Sequence, residues 1–147
     1  ENLLFSNLEE GYKYGLLNKS RRDKRARELI EKFEINCIGP EAPLWSLSGG
    51  NQQRVVLARE TSDKPIVLIA SQPTRGLDVG AIEYMTGQLR ELAKSGVGVL
   101  LISSELDEIF SLADRIGVIF RGKLAASMAT GDAERESLGL LMGRGEV

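Results

Sequence analysis

Three short apolar segments separated by helical patterns limit the fold of this 147-residue chain more than any other feature. They predict buried strands near residues 66–70, 98–103 and 115–120. The helix predicted at about 80–95 has an apolar stripe at helical spacing, formed by Ile82, Met85, Leu89 and Leu92. Because strands that alternate with helices favour a parallel sheet, residues 63–147 are predicted to be α/β.

The first part of the chain has helical patterning. Ser20 followed by Asp23 resembles a capping box and predicts a helix to about Phe33, with Leu29, Ile30 and Phe33 in its apolar stripe. Residues 1–18 are predicted to be a short helix and a loop. Further helices are predicted at 48–61, 105–112 and 132–142, and a hairpin return at 123–127. We therefore predict a helical subdomain at 1–62 and an α/β part at 63–147.

The run from Leu47 to Arg54 reads LSGGNQQR and carries the clearest chemical signal in the chain. Glycines let the backbone approach a ligand closely, and serine is a residue type that caps helices. A helix start offers free N–H groups and the positive end of the helix dipole. The run therefore predicts an anion site, most naturally for phosphate. A plain helix cap without a ligand is the alternative interpretation.

Composition excludes several classes of function. With 42% hydrophobic residues, the chain can build one modest core. The net charge of −2 gives no overall basic bias toward nucleic acid. A single cysteine, Cys37, cannot form an internal disulfide, which fits a reducing compartment. No apolar run approaches the roughly 20 residues that a membrane span needs.

The LSGGN run resembles the signature motif of ABC-type ATPases, usually written LSGGQ. Three later segments are similar to the same family, in the family's order. Ile66–Asp78 resembles the Walker B strand and D-loop, Val99–Glu108 the switch strand, and Ala113–Lys123 the closing hairpin. The string QPTRGLDVGA is most like the second ATPase half of tandem importers for simple sugars or nucleosides. The resemblance implies a partial P-loop NTPase fold, with the helical subdomain and the C-terminal part of a mostly parallel sheet with flanking helices.

The Walker A motif, GxxxxGK[ST], is absent from the chain. That loop cradles phosphates with backbone N–H groups and places a lysine and a hydroxyl on ATP and Mg²⁺. The resemblance implies that the complete protein uses both ATP and Mg²⁺. We expect the chain alone to lack a complete triphosphate site, neither binding Mg-ATP nor hydrolysing it.

The signature motif implies a site that acts across an interface. In ABC-type ATPases each ATP lies between the phosphate loop of one half and the signature of the other. The resemblance implies that Ser48, Gly50 and Asn51 hold the γ-phosphate of ATP on a partner half, while Gly49 gives backbone room. Asn51 replaces the usual glutamine. Asp78 would contact the partner's site as the D-loop aspartate, and a role as helix cap is compatible with that contact.

Three positions of the chain's own site depart from the family's pattern. Ser71 replaces the usual aspartate on the Mg²⁺ side, Gln72 the glutamate that polarises water, and Ser104 the switch histidine. Glutamine cannot accept the proton of water, so general-base help is lost. The resemblance therefore implies a site that is silent in cis, with no metal site of its own. We interpret Ser71 and Gln72 as non-catalytic polar residues at a strand end and Ser104 as a loop hydroxyl, with an unusual active site as the alternative.

The resemblance implies an ATP-binding subunit that drives import of a small solute. Its expected partners are a second ATPase half and membrane permease subunits, and its expected location is the cytoplasmic face of the inner or plasma membrane. A non-transport ABC protein acting on ribosomes or DNA is the alternative, and a regulatory module without an ATP role is a third. The basic cluster of the first helix is interpreted as a solvated face. Trp45 is predicted to pack in the core, with subunit contact as the second interpretation.

Overall fold

The computed structural model describes residues 2–4, 12–13, 16–17 and 19–145. The helices are α1 (Lys19–Lys32), α2 (Gly49–Thr61), α3 (Val79–Lys94), α4 (Leu106–Leu112) and α5 (Arg135–Arg144). The strands are β1 (Tyr12–Lys13), β2 (Leu16–Leu17), β3 (Val67–Ser71), β4 (Gly98–Ile102), β5 (Arg115–Phe120) and β6 (Lys123–Ala129). Short 3-10 turns cover Asn2–Leu4, Leu44–Ser46 and Thr130–Asp132.

The predicted elements from α1 onward are confirmed, with boundaries that shift by up to three residues. Two local predictions were wrong. Helix α1 begins at Lys19, so Ser20 lies inside the helix and does not cap it. In the first eighteen residues the described segments include an antiparallel β1–β2 pair that the sequence did not predict, and the rest of that stretch lies outside the described residues.

The chain divides into two compact units, one of Glu1–Ile69 with Pro73–Leu100 and one of Ala70–Gln72 with Leu101–Val147. The predicted boundary between residues 62 and 63 falls within the first unit. That boundary divides the chain by helical and α/β patterning, not by compactness, so it stays a prediction.

The first unit buries one side of each of its three helices. From the predicted stripe of α1, Leu29 and Phe33, which directly follows the helix, are buried and Ile30 is half-buried, while Met85 and Leu89 are buried on α3. The buried residues of α2 are Val55, Leu57 and Ala58. Most of these residues lie three or four positions apart along the chain, so each helix removes apolar surface from water.

Strands β3 and β4 pair side by side in the same direction. At the start of the pair, the Gly98 N–H donates to the Ile66 carbonyl at 2.9 Å. At its end, the Gln72 N–H donates to the Ile102 carbonyl at 2.7 Å. This is the parallel pairing that the sequence predicted. Parallel strands place their carboxyl ends at one edge, so the residues that follow β3 and β4 come together there.

The second unit contains an antiparallel hairpin and a small core. Strands β5 and β6 run in register from the Arg115–Ala129 pair to the Phe120–Lys123 pair, with an irregularity after Val118. Apolar side chains of β5 and α5 form the core, and these are Ile116, Val118, Leu138 and Leu141. The predicted hairpin return is confirmed and extends to the end of β6. None of the described helices combines the length and apolarity needed to cross a bilayer.

Candidate functional site

The start of α2 presents backbone donors on an exposed surface. Ser48 caps the helix, and its carbonyl accepts the first helical hydrogen bond from the Gln52 N–H at 2.9 Å. The N–H groups of Gly49 and Gly50 precede that bond and have no acceptor in the part of the chain that the structure describes. Unpaired N–H groups together with the positive dipole end form an anion-binding arrangement.

The two glycines of the motif have different surroundings. A Cβ atom on Gly50 would lie 2.9 Å from the Ala81 Cβ, whereas a Cβ atom on Gly49 would meet only the Leu77 Cδ2, at 3.9 Å. Gly50 is therefore required by packing within the chain, because it lets α2 approach α3 closely. Gly49 lies on the open, exposed side, where the chain's own packing imposes no such requirement.

Asp78 begins α3 beside this close approach. Its Oδ1 accepts a hydrogen bond from the Ala81 N–H at 2.9 Å, which confirms the helix-cap role. Since Ala81 also faces Gly50, the starts of α2 and α3 lie next to each other. All five residues predicted to bind nucleotide are thus gathered at two adjacent helix N-termini, Ser48, Gly49, Gly50, Asn51 and Asp78. The predicted contact of each with a partner's ATP stays a prediction.

Side chains of α2 and α3 fix the position of α2 against the end of α1. The Arg54 guanidinium donates to the Phe33 carbonyl at 3.3 Å and to the Glu34 carbonyl at 2.9 Å. Its central carbon lies 3.5 Å from the centroid of the Tyr84 ring, and the Tyr84 hydroxyl donates to the Phe33 carbonyl at 2.9 Å. Burial raises the pKa of Tyr84, and the nearby Arg54 opposes that rise.

Asn51 joins the same contacts at the helix start. Its Oδ1 accepts from the Asn36 N–H at 2.7 Å, and its Nδ2 donates to the Ser48 Oγ at 2.9 Å. Asn36 and Tyr84 were not predicted from the sequence as site residues. Only the tertiary structure brings these residues to the motif, and no local signal marked either one.

The residues at the ends of β3 and β4 form a second polar group. Ser71 is exposed, and Gln72 has a left-handed backbone with φ of 50°. The Gln72 Nε2 donates to the Ser104 Oγ at 3.4 Å, so the structure brings two of the three predicted degenerate positions into contact. These three residues offer hydroxyls and an amide but no carboxylate, the ligand that Mg²⁺ prefers in proteins. They do not fit a magnesium site.

The acidic residues of the switch segment do not form a cluster. Asp107 accepts a hydrogen bond from Arg135, whereas Glu108 is buried and its two oxygens have no partner within the described ranges. Across the described residues, no group of three or more acidic, cysteine or histidine side chains could hold a metal ion.

Trp45 is 82% exposed, so the prediction that it packs in the core was wrong. The 3-10 turn that carries it is held by the Ser46 N–H and hydroxyl, which both donate to the Pro43 carbonyl. In this turn the half-buried neighbours are Leu44 and Leu47, and the tryptophan faces outward. The interpretation as a subunit contact is untested.

Two basic residues of α1 have acidic neighbours. Arg22 lies 3.4 Å from carboxylate oxygens of both Asp23 and Glu41, and Arg25 lies 3.4 Å from a Glu28 oxygen. Such pairs are typical of a solvated helix face.

Comparison with known proteins defines the family. The chain is 45% identical over 135 residues to the nucleoside import ATP-binding protein NupA of Lactococcus lactis subsp. cremoris, covering 92% of this chain and 27% of that protein. It is 46% identical over 128 residues to the guanosine import ATP-binding protein NupO of Bacillus subtilis, covering 87% of this chain and 25% of that protein. The chain belongs to the ABC-type ATPases. No protein-family model matches it.

Solved structures of ABC-type ATPases have the same fold. A dimeric bacterial ABC transporter cassette aligns with a TM-score of 0.68 at 25% identity, covering 88% of this chain and 54% of that one. A nucleotide-free ATP-binding cassette from an ABC transporter aligns with a TM-score of 0.70 at 22% identity, covering 87% and 53%. The chain therefore has part of the ABC ATPase fold, and it spans about a quarter of the length of the curated relatives it matches.

Proposed function

We propose that this chain acts as the C-terminal part of an ATP-binding half in an importer of a small solute, either a sugar or a nucleoside. In this proposal it completes an ATP site on a partner half, while its own hydrolytic positions are silent. The relatives with 45% and 46% identity are named as nucleoside and guanosine import ATP-binding proteins, which supports this class of solute.

One observation carries the proposal: the starts of α2 and α3 lie side by side, and the N–H groups of Gly49 and Gly50 have no acceptor among the described residues. A polyphosphate brings negative charge, which two positive helix ends would stabilise. The open surface at Gly49 leaves room for a ligand to approach the backbone. Packing within the chain explains why residue 50 is a glycine, but it gives no function to the exposed N–H group of Gly49.

Each residue has a defined task in the proposed site. The Gly49 and Gly50 N–H groups and the Ser48 hydroxyl donate hydrogen bonds to phosphate oxygens of ATP bound on the partner. ATP supplies the transferable phosphoryl group, and fixed donors around it stabilise the charge of its oxygens without reorganising. Asp78 keeps the start of α3 in place beside them.

The proposed division of labour rests on the contrast between the donors at the start of α2 and the side chains of Ser71, Gln72 and Ser104. None of these side chains can accept a proton from water at neutral pH, so they do not provide a general base. The proposed partners are therefore a second ATPase half with a complete phosphate loop and membrane permease subunits. The proposed location is the cytoplasmic face of the membrane.

Calorimetry with Mg-ATP tests the first part of the proposal. We expect no saturable binding to this chain alone, because its donors would meet phosphate only across an interface. Saturable one-to-one binding would mean that the chain holds nucleotide without a phosphate loop, contrary to the proposed division.

Ser48→Arg in the complete tandem protein, which in this proposal contains both ATP-binding halves, tests the second part. We expect loss of most ATP hydrolysis, because the large side chain would block the approach of phosphate to the start of α2. Ser104→Arg is the matched control and should leave the rate near its original value. An unchanged rate in the Ser48 variant would favour a module without an ATP role, and salt-sensitive RNA or DNA binding by the tandem protein would favour the non-transport alternative.

A further inference from the structure

Both ends of the Asn51 side chain are used within the chain. Its Oδ1 accepts from the Asn36 N–H at 2.7 Å, and its Nδ2 donates to the Ser48 Oγ at 2.9 Å. The Asn36 N–H can only donate, so it fixes which end of the amide is the oxygen. The NH₂ group therefore has to face Ser48.

The bond from Asn51 constrains the Ser48 hydroxyl. A serine oxygen accepts two hydrogen bonds and donates one. The Asn51 Nδ2 fills one acceptor position at 2.9 Å, and the Asn51 N–H approaches the other at 3.4 Å. The hydroxyl hydrogen is left to donate, and no acceptor for it lies among the residues that the structure describes. The hydroxyl hydrogen is therefore available to an acceptor outside the chain.

The other end of the Asn51 amide is attached to a fixed segment. Ile35, which precedes Asn36, is buried, and the carbonyls of Phe33 and Glu34 accept hydrogen bonds from Arg54. The Tyr84 hydroxyl also donates to the Phe33 carbonyl. Asn36 is therefore a stable reference point for the orientation of Asn51.

We propose that Asn51 is a positioning residue, which orients the Ser48 hydroxyl as a donor to a phosphate oxygen and does not itself contact the phosphate. The inference rests on the proposed function, since the acceptor is ATP on the partner half. It differs from the expectation that Asn51 reaches the γ-phosphate directly.

A double-mutant cycle in the tandem protein tests the inference, with kcat/KM for ATP as the readout. We expect Ser48→Ala and Asn51→Ala each to lower kcat/KM roughly tenfold or more, the loss expected for a hydrogen bond to a charged group. The double variant should be no worse than Ser48→Ala, because Asn51 acts only through the hydroxyl. Ser48→Thr keeps a hydroxyl that Asn51 can orient. Adding Asn51→Ala to Ser48→Thr should therefore lower kcat/KM again.

Hydrogen exchange of the Asn36 amide in this chain gives a readout that is independent of hydrolysis. Exchange should become faster in Asn51→Ala and stay unchanged in Ser48→Ala, because the bond from Asn36 to Asn51 is intact there. Unchanged exchange in Asn51→Ala would show that the Asn36 bond does not form, which overturns the inference.

The outcomes separate this inference from the proposed function. Losses that multiply in the double variant would mean that Asn51 contacts phosphate itself, which overturns the inference and leaves the proposed function standing. An Asn51→Ala variant with unchanged kcat/KM, alongside an impaired Ser48→Ala, would do the same. No effect of Ser48→Ala would overturn both.

Discussion

The start of α2 and the ends of β3 and β4 both carry polar residues at positions that the resemblance to ABC-type ATPases predicts to face nucleotide, but their surroundings differ. At α2, Gly50 is packed against Ala81 and the Asn51 amide is bonded at both ends. At the strand ends, one exposed 3.4 Å hydrogen bond joins Gln72 and Ser104. The chain therefore fixes the geometry of the first region far more strongly than that of the second.

The difference matches the roles that we propose for the two regions. A site that stabilises charge needs donors held in place before the ligand arrives, because reorganisation costs free energy. The α2 start has that support from Asn36, Arg54 and Tyr84. The strand ends have a strained Gln72 backbone and little side-chain support, which agrees with a region that is not required to perform hydrolysis.

The largest effect that we predict is for Gly50→Ala. A Cβ atom would lie 2.9 Å from the Ala81 Cβ, so α2 or α3 has to shift. We expect a loss of about 1–3 kcal/mol in the free energy of unfolding, measured by urea denaturation. Gly49→Ala is the matched control, with an expected change within about 0.5 kcal/mol. Equal stabilities of the two variants would contradict the conclusion that packing requires glycine at position 50 but not at position 49.

Tyr84→Phe tests the support behind α2. Loss of the hydrogen bond to the Phe33 carbonyl should cost about 1 kcal/mol at pH 7. Burial raises the pKa of Tyr84 above its ordinary value of 10.0, so near that pH the folded state holds the proton more tightly than the unfolded state. The hydroxyl's contribution is complete below pH 10 and is lost as pH rises through the higher folded value.

Urea denaturation of both proteins at several pH values measures this effect. The stability advantage of the original chain over Tyr84→Phe should shrink as pH rises above about 10. An advantage that is constant from neutral to alkaline pH would contradict the expected coupling.

Gln72→Gly should stabilise the chain slightly. Gln72 has φ of 50°, a backbone conformation that glycine adopts without the steric cost of a Cβ atom. We expect a gain of about 0.5 kcal/mol, reduced by the greater flexibility of glycine in the unfolded chain. Gln72→Ala keeps the strained backbone without the amide and should give no gain. A loss of stability in both variants would mean that the Gln72 side chain supports the strand ends.

Ser104→Ala should have the smallest effect. Its bond with Gln72 is exposed and 3.4 Å long, so we expect a change of less than about 0.5 kcal/mol in the free energy of unfolding. Ser48→Ala, which removes a helix cap, should cost more, about 0.5–2 kcal/mol. The reverse order in urea denaturation would overturn the comparison between the two regions.

Helices and strands could be predicted wherever local periodicity was strong. Leu29 and Phe33 from one predicted stripe and Met85 and Leu89 from the other are buried, since amphipathic spacing is a property of the local sequence. Trp45 was predicted wrongly because hydrophobicity alone does not say which way a turn faces. Ser20 was misplaced because a capping pattern does not fix the first helical residue.

The sequence by itself determined the order of elements and the family, and it predicts the residues that an ABC-type ATPase would use for nucleotide. Those properties depend on residue type and spacing along the chain. The tertiary structure alone decided that Gly50 faces Ala81, that Asn36 holds Asn51, and that the starts of α2 and α3 meet. These contacts join residues far apart in sequence, so they depend on how the helices pack, which no local pattern encodes.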